Sequence, residues 1–434
     1  MNPELITTVL IVILGFLLLF SGMHLGLAMG LFGFLGLLHH RGLNHALGEL
    51  MTVPYALFSY YDLTVIPLFI LMGQICFHAG MSADLFGTGY KWFGRMRGGL
   101  AMATVAACAG FAAVCGSSPA TAVTMGLVAL PEMKKYQYDK ALATGSVAAG
   151  GTIGVLIPPS LSFILYGIMT GQSIGQLFLG GVLPGVLQAI LFIVTIYLLC
   201  TKNPGLGPGG PGAGLREKIV SLKNTWIVLF LFIAIIGSLY MGICTPTEAA
   251  AVGAFLAFVF GAAKRRFTWK SVRATFQDTV RSTSMLMIIF AGATIMSHFL
   301  AVTRLPTMLA NVVVAMEVNR FLILGLILFI YVILGCLMDP GSMLLLTIPT
   351  FYPVIVALHF DPIWFGVLVA VMTEVGCITP PVGLNVFVIH GIAPDVPMYT
   401  IFRGIIPFLV TNAVLIAVLI LFPPLALLLP STMK

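Results

Sequence analysis

Charged side chains are scarce in this sequence. Its 434 residues include 21 Lys and Arg and 14 Asp and Glu, so charged residues make up 8% of the chain, whereas a soluble domain carries about 25%. Hydrophobic residues account for 59%, and the mean hydropathy is +1.09. This composition excludes a water-soluble enzyme, a disordered chain and a nucleic-acid-binding protein, and it predicts a protein embedded in the lipid bilayer.

Patterns typical of catalysis or metal binding are also missing. The seven cysteines form no C-x-x-C pair, and the eight histidines show no H-E-x-x-H or similar metal-ligand spacing. Ser117 has no candidate base near it in the sequence, so an intramembrane enzyme is a poor interpretation. We therefore expect no enzymatic activity and no organic cofactor.

Apolar stretches cover most of the chain. A helix needs about 20 residues to cross the hydrocarbon core of a bilayer. The stretches lie at 5–38, 55–80, 99–133, 141–170, 176–200, 226–263, 283–301, 321–358, 362–392 and 401–430. They predict an all-α polytopic membrane protein with about 10–12 membrane helices.

Basic residues indicate which loops face the cytoplasm, because Lys and Arg accumulate on that side. They form four clusters, at 91–97, 134–140, 202–223 and 264–281. The segment that precedes the first apolar run has no Lys or Arg, so the N-terminus is predicted to be periplasmic. Segments 82–97 and 264–281 also contain aromatic residues, which predicts amphipathic helices on the cytoplasmic surface.

Two stretches are predicted to form re-entrant hairpins. Stretch 99–133 lies between two cytoplasmic clusters, and Gly116-Ser117-Ser118-Pro119 divides it into arms of about 15 residues, too short to span a bilayer. Stretch 321–358 is divided in the same way by Met338-Asp339-Pro340-Gly341-Ser342, and its ends carry few charges. The second hairpin is therefore expected to enter from the opposite side of the membrane.

The two halves of the chain resemble each other. The Pro-Pro pairs beginning at Pro158 and Pro380 are 222 residues apart, and the hairpin prolines Pro119 and Pro340 are 221 apart. Because the hairpins enter from opposite sides, the repeat is inverted. Inverted repeats with helices broken at mid-membrane are typical of secondary transporters.

A Gly/Pro-rich segment near 202–215, which is not expected to be helical, separates the halves. The predicted organisation has five parts. These are scaffold helices and a first arm helix at 1–98, the first hairpin and broken helix at 99–201, a cytoplasmic linker at 202–224, second-repeat scaffold helices at 225–320, and the second hairpin, broken helix and C-terminal helix at 321–434.

The broken helices predict two sodium sites. A Pro-Pro pair lacks two N–H donors and forces the preceding residue out of the helical region, so carbonyl groups become free to bind a ligand. Hard oxygen ligands with little negative charge suit Na⁺. The first predicted site comprises Ser117, Ser118, Gly154, Ile157 and Pro159, and the second comprises Asp339, Gly341, Gly376, Thr379 and Pro380.

The half-helices that follow the breaks direct their positive N-terminal ends toward the same region, which favours an anionic substrate. The candidate substrate residues are Ser160, Asn385, Pro119 and Pro381.

Three acidic residues admit different interpretations. Asp339 is expected to cap a helix, and its depth in the membrane also favours a role in cation binding. Thr245-Pro246-Thr247-Glu248 has the pattern of a capping box. Glu374 lies just before the second break, where hydrogen bonding to the open backbone and an ion or proton role are both reasonable.

The sequence resembles the large membrane subunit of tripartite ATP-independent periplasmic (TRAP) transporters. The resemblance is carried by Ala79-Gly80-Met81-Ser82, Gly116-Ser117-Ser118-Pro119-Ala120-Thr121-Ala122, Ile157-Pro158-Pro159-Ser160, Thr245-Pro246-Thr247-Glu248-Ala249-Ala250-Ala251 and Thr379-Pro380-Pro381-Val382-Gly383-Leu384-Asn385.

The resemblance implies a multi-pass protein of the bacterial inner membrane that imports organic anions, such as C4-dicarboxylates or sialic acid, with two or more Na⁺ ions. It implies an elevator-type fold, in which a scaffold holds a mobile domain built from the hairpins and broken helices. It also implies two partners besides the lipid bilayer: a small four-helix membrane subunit, expected here as a separate chain, and a periplasmic substrate-binding protein. The alternative is a stand-alone Na⁺/dicarboxylate symporter of similar inverted-repeat fold.

Overall fold

The computed structural model describes residues 23–210, 212–315 and 318–433. These ranges are helical throughout and contain no β-strand. Eight of their helices are long and apolar enough to cross a membrane, and three shorter apolar helices accompany them. The prediction of an all-α polytopic membrane protein is therefore confirmed, while the predicted side of the N-terminus falls outside the described residues.

The helices are numbered in chain order. Those of the first half are α1 (Leu25–Arg41), α2 (Leu43–Ser59), α3 (Val65–His78), α4 (Met81–Phe93), α5 (Gly99–Cys115), α6 (Ser118–Lys135), α7 (Lys140–Leu156), α8 (Leu161–Thr170) and α9 (Ile174–Lys202). Those of the second half are α10 (Leu215–Tyr240), α11 (Pro246–Ala263), α12 (Trp269–Thr303), α13 (Leu305–Ala315), α14 (Arg320–Gly335), α15 (Pro340–Ala357), α16 (Pro362–Ile378), α17 (Leu384–Ile392), α18 (Met398–Leu421) and α19 (Pro424–Ser431).

Helices α5 and α6 form the first hairpin. The chain reverses at Gly116, which adopts a left-handed conformation with a φ of 66°, and Ser117 is extended before α6 begins. Proline in the first turn of α6 suits a helix start, because the N–H it lacks would have no partner there. At the other end of the hairpin, the backbone N–H of Leu100 donates to the Tyr138 hydroxyl at 3.0 Å, which joins the two arms.

Helices α14 and α15 form the second hairpin. Asp339 caps α15 by accepting a hydrogen bond from the backbone N–H of Ser342 at 3.0 Å, and Pro340 is the first residue of that helix. The bases of the two arms meet where the Phe321 and Phe360 rings pack edge to face, with centroids 5.6 Å apart. Residues 116–119 and 338–342 are called the first and second tips below.

The two hairpins enter from opposite sides. Helix α7 starts near the base of the first hairpin, and α8 continues from its end until it reaches the base of the second. There the Tyr166 hydroxyl donates to the carbonyl of Pro362, and Gln172 donates to the Tyr352 hydroxyl. In the second half, the loop after α17 returns to the base of the first hairpin, where Lys134 pairs with Asp395 at 2.9 Å. The repeat is therefore inverted, as predicted.

Corresponding helices of the two halves share their capping chemistry. Helices α7 and α16 each have 17 residues and start 222 positions apart, at Lys140 and Pro362. Asp139 accepts a hydrogen bond from the first turn of α7, and Asp361 does the same for α16. Both helices end in an extended residue followed by two prolines. Residues 157–160 and 379–383 are called the first and second breaks below.

The two hairpins and broken helices, α5–α8 and α14–α17, are called the hairpin domain below. Helices α1, α3, α11 and α12 pack beside it and are called the scaffold. Glycines allow α1 to lie against α12, since a Cβ atom at Gly26 would come within 2.6 Å of the Ile288 carbonyl oxygen. The short helix α4 is anchored at its start by Arg266, which donates to the carbonyl of Ala79 and pairs with Asp84 at 2.7 Å. Residues 269–281 are the first part of the continuous helix α12 rather than a separate surface helix, because no proline or turn signal interrupts them.

The segment between the halves is folded against the loops that precede α5 and α7. Gly98 donates to the Gly207 carbonyl, Asp139 donates to the Leu206 carbonyl, and Gly210 donates to the Gly94 carbonyl, with N···O distances of 2.7–3.0 Å. Helix α10 begins at Leu215, so residues 215–224 are helical rather than linker. Apolar residues that follow the glycines and prolines allow the helix to start earlier than composition indicated.

The close approach of α14 and α16 generates a first prediction. A Cβ atom at Gly335 would lie 2.7 Å from Cα of Gly376, so Gly335→Ala should separate the second hairpin from the broken helix and destabilise the protein by about 1–3 kcal/mol. Thermal unfolding in detergent measures this effect. Gly325→Ala, on the same helix with open space around it, is the control and should leave the melting temperature unchanged or raise it. Equal melting temperatures for both variants would contradict the prediction.

Candidate functional site

A cavity of about 510 Å³ lies between the hairpin domain and the scaffold. Its hairpin-domain wall includes both tips and helix α8, and its scaffold wall includes parts of α3 and α12. The polar residues on its surface are Gln74, Ser117, Ser118, Thr124, Ser162, Asp278, Ser282 and Asp339. The cavity therefore joins both predicted ion sites to one space large enough for a small organic ligand.

The structure brings the residues of the first predicted sodium site together. A Cβ atom at Gly154 would lie 2.9 Å from the Ser117 carbonyl oxygen, so α7 touches the first tip. A Cβ atom at Gly116 would lie 2.5 Å from the carbonyl oxygen of Pro159, and Gly116 accepts a hydrogen bond from the N–H of Leu161. The first tip is thus in contact with both sides of the first break.

The oxygen atoms near the first tip have different partners. The Ser117 carbonyl accepts hydrogen bonds from both the N–H and the hydroxyl of Thr121, the latter at 2.8 Å, while the Ser117 hydroxyl makes no capping bond. Because Pro158 and Pro159 have no N–H, the helical partners of the Gly154 and Val155 carbonyls are missing. A serine hydroxyl and two backbone carbonyls therefore lie near the tip without their usual helical partners.

The second predicted site is also assembled, with different local bonding. Both Asp339 carboxylate oxygens bind Ser342, one through its N–H and one through its hydroxyl. Gly376 packs against Gly335, and the Thr379 hydroxyl donates to the Val375 carbonyl at 2.6 Å. Cys336 contacts the break twice, since its thiol donates to the Pro380 carbonyl at 3.2 Å and its carbonyl accepts from the N–H of Gly383 at 3.4 Å.

The two breaks differ in their exposure. Ile157, Pro158 and Pro159 are all buried, whereas Pro380 and Pro381 are exposed in the described part of the chain. The difference arises because α9 packs over the first break, where a Cβ atom at Gly185 would lie 2.6 Å from the Ile157 side chain.

The candidate substrate residues occupy three kinds of position. Pro119 lines the cavity. Ser160 and Asn385 are fully buried, Ser160 as the cap of α8 and Asn385 as a donor to the Ser118 hydroxyl at 2.7 Å. Pro381 is exposed. Of the four residues, the structure therefore places only Pro119 on the surface of the cavity.

The structure decides part of the question about the two other acidic residues. Thr245 and Glu248 form the expected capping box, with the backbone N–H of Thr245 donating to the Glu248 carboxylate at 2.8 Å. Glu374 is 1% exposed, and neither of its carboxylate oxygens has a hydrogen-bond partner within the ranges that the structure describes. The hydrogen bond to the open backbone of the second break, which was one of its two interpretations, is therefore not made.

Sequence reasoning missed the scaffold wall of the cavity. Gln74 is in the last part of α3, and Asp278 and Ser282 are one helical turn apart on α12. The Asp278 carboxylate lies 3.2 Å from Nε2 of His78, the last residue of α3. The only available signal was an isolated acid within a basic segment, and nothing in the sequence showed that α3 and α12 meet opposite the tips.

An inverted repeat with two hairpins and two broken helices around one cavity is the architecture of a secondary transporter. The comparisons agree with this class. The family model described as the DctM component of the tripartite ATP-independent periplasmic transporter matches residues 8–425. The chain belongs to this family, and it is therefore a transporter subunit rather than an enzyme.

Individual relatives are named for different substrates. The chain is 35% identical over 409 residues to the C4-dicarboxylate TRAP transporter large permease protein of Vibrio cholerae, covering 89% of each chain. It is 32% identical over 417 residues to the sialic acid large permease protein of the same organism, covering 95% of this chain and 96% of that protein. The YdaH transporter of Alcanivorax borkumensis has a similar fold, with a TM-score of 0.61, 16% identity, and coverage of 88% of this chain and 90% of that chain.

The contact between Gly116 and the first break generates a second prediction. An alanine at Gly116 would be strained by the positive φ of 66° and would also clash with the Pro159 carbonyl, so Gly116→Ala should reduce uptake by tenfold or more. Uptake into proteoliposomes measures the loss. Gly171→Ala is the matched control, because Gly171 has a φ of 68° with nothing within 4 Å, and it should retain most of the activity. Similar losses in both variants would show that strain alone, and not the contact, is responsible.

Proposed function

We propose that this chain is the large membrane subunit of a Na⁺-coupled importer of organic anions. The observation that carries the proposal is the meeting of each hairpin tip with a break: the Leu161 N–H donates to the Gly116 carbonyl, and the Gly383 N–H donates to the Cys336 carbonyl, at 3.3 and 3.4 Å. Irregular backbone at membrane depth is tolerated where it lines a cavity or binds a ligand. Two such junctions beside one cavity fit cotransport of ions and a solute.

The chemistry of both junctions supports Na⁺ as the driving ion. The first offers the Ser117 hydroxyl and carbonyls of the Gly154 turn, and the second offers Asp339 with carbonyls near Gly376 and Thr379. These are hard oxygen ligands with at most one formal charge per site, a set that suits a monovalent hard cation. Two ions are proposed, one at each junction.

The proposed cargo is a carboxylate. The described residues that line the cavity include no Lys or Arg, so an anion would be held by bound cations, hydroxyl groups and the N-terminal ends of α8 and α17. The relatives named for C4-dicarboxylate and sialic acid support a carboxylate as the shared group. Ser117 and Ser162, both on the cavity surface, are the proposed donors to it.

The proposed mechanism is an elevator, in which the hairpin domain moves against the scaffold with its cargo. The cavity lies between these two parts, as such a movement requires. Its scaffold wall includes Asp278, within the basic segment 264–281 that the positive-inside rule places in the cytoplasm. We infer that the cavity lies on the cytoplasmic side of the tips. In this arrangement the cargo would be released into the cytoplasm.

The proposed partners follow from membership of a tripartite family. They are a small four-helix membrane subunit as a separate chain and a periplasmic substrate-binding protein that delivers the anion. The proposed location is the bacterial inner membrane with the N-terminus in the periplasm. The many exposed apolar side chains on α10 and α11, such as Ile233 and Phe255, suit contact with lipid or with a membrane subunit.

Reconstitution tests the proposed function. Proteoliposomes containing this chain and its small subunit should accumulate a labelled carboxylate when an inward Na⁺ gradient and the binding protein are both present. Replacing Na⁺ with K⁺ should abolish uptake, and omission of the binding protein should do the same. Full uptake without the binding protein would instead identify a stand-alone symporter.

Variants of the second tip separate cation binding from helix capping. Asp339→Asn retains a good N-cap residue but removes the charge, so it should raise the half-saturating Na⁺ concentration by tenfold or more with little effect on stability. Asp361→Asn is the matched control, because Asp361 caps α16 in the same way at the distant base of that helix. If both variants keep the wild-type Na⁺ dependence, Asp339 has only a capping role.

The first tip allows the equivalent test with a smaller change. Ser117→Ala removes a hydroxyl that makes no capping bond, so helix α6 should remain stable while the Na⁺ requirement rises severalfold. Na⁺-dependent uptake and thermal unfolding in Na⁺-free buffer are measured on the same preparation. A lower melting temperature with an unchanged Na⁺ requirement would assign Ser117 to structure alone.

A further inference from the structure

Asn385 links the two halves of the hairpin domain. It is fully buried at the start of α17, directly after the second break. Its side-chain amide donates to the Ser118 hydroxyl at 2.7 Å and to the Ala148 carbonyl at 3.3 Å. One side chain of the second half therefore holds both the first tip and helix α7 of the first half.

This bond completes a continuous path between the tips. The Gly383 N–H, two residues before Asn385, donates to the Cys336 carbonyl at the end of α14, just before the second tip. The path runs from the second hairpin to the second break, then through the Asn385 amide to Ser118 in the first tip. Both hydrogen bonds join buried groups, and short stretches of chain complete the path between them, so the two tips are physically connected.

The contact between the first half and the second tip has different chemistry. At the 222-residue offset of the Pro-Pro pairs, the buried Phe163 of α8 corresponds to Asn385 of α17. The first half approaches the second tip through Leu165, whose Cδ1 atom would lie 3.4 Å from a Cβ at Gly341. Because that contact is apolar, the Asn385 bond is not a requirement of the repeated fold.

The Ser118 hydroxyl is well placed to respond to the bond. A serine hydroxyl has one proton and two lone pairs. The Asn385 amide occupies one lone pair of this hydroxyl. The orientation of the hydroxyl is therefore constrained by a residue of the second half, although Ser118 itself belongs to the first predicted sodium site.

We propose that the Asn385–Ser118 hydrogen bond couples the two cation sites, so that an ion bound at one tip strengthens binding at the other. This inference rests on the proposed Na⁺-coupled function. An ion that orders either tip fixes one end of the path and lowers the cost of ordering the other end. The coupling is reciprocal, as any linkage between two binding equilibria must be.

The experiment is a Na⁺ titration of the assembled membrane complex, followed by the thermal unfolding shift in detergent and by initial uptake rates in proteoliposomes. The wild type should give a Hill slope clearly above one in both measurements. Asn385→Leu should bring the slope to one and raise the half-saturating Na⁺ concentration at least about fivefold, the lower end of typical coupling effects.

Gln188→Leu is the matched control. Gln188 is also a buried amide that joins the halves, since it donates to the Asn412 side chain at 3.0 Å, but it contacts neither tip. The variant should lower the melting temperature to a similar extent and leave the Hill slope unchanged. Loss of the slope in Gln188→Leu as well would show that general loosening of the domain, and not the Asn385 path, is responsible.

The remaining outcomes are distinct. A wild-type Hill slope of one, or an unchanged slope in Asn385→Leu, would overturn the coupling while leaving the proposed function intact. Absence of any Na⁺ response in the wild type would instead contradict the proposed function. If Asn385→Leu does not fold, Asn385→Ser applies the same criterion, because its shorter polar side chain does not reach Ser118.

Discussion

The constraint on which this structure depends is that a backbone polar group in a bilayer cannot remain unpaired against lipid. Pro158 and Pro159 remove two N–H donors from the end of α7, and Pro380 and Pro381 do the same for α16. The hairpins bring hydrogen-bond partners to these breaks that a continuous helix would not need. One of them is the Gly116 carbonyl, which accepts a hydrogen bond from the N–H of Leu161. The same unpaired carbonyl groups that make the breaks costly make them suitable for a cation.

The repeat supplies symmetry, and packing against the rest of the chain removes part of it. The first break is covered by α9, while the prolines of the second break are exposed. Asp339 replaces the serine at the first tip as the residue before the helix, so the second tip carries a charge that the first lacks. The two proposed cation sites, although built from the same repeated pattern, are thus expected to differ in their affinity for Na⁺. A link such as the Asn385–Ser118 hydrogen bond allows one site to influence the other.

Much of the fold could be predicted from local signals. Glycine, serine and proline at positions 116–119 and 338–342 indicated the turns, and the doubled prolines indicated the breaks. The scaffold wall could not be predicted, because Asp278 faces the cavity only through the packing of α12 against α3. The Asn385–Ser118 bond joins residues 267 positions apart. Single-sequence periodicity contains no information about contacts of that kind.

The scarcity of charge finally bears on the order of binding. Asp278 and Asp339 both face the cavity, and its described lining residues include no Lys or Arg. In the proposed mechanism, a carboxylate that enters before any cation would meet two negative groups in a region where water screens them poorly. In that mechanism, two Na⁺ ions bound first at the tips would offset these two negative charges and supply the positive charge that the cavity lacks. The anion would then bind favourably only when the driving ions are present, which is the condition for tight coupling of ion and anion transport.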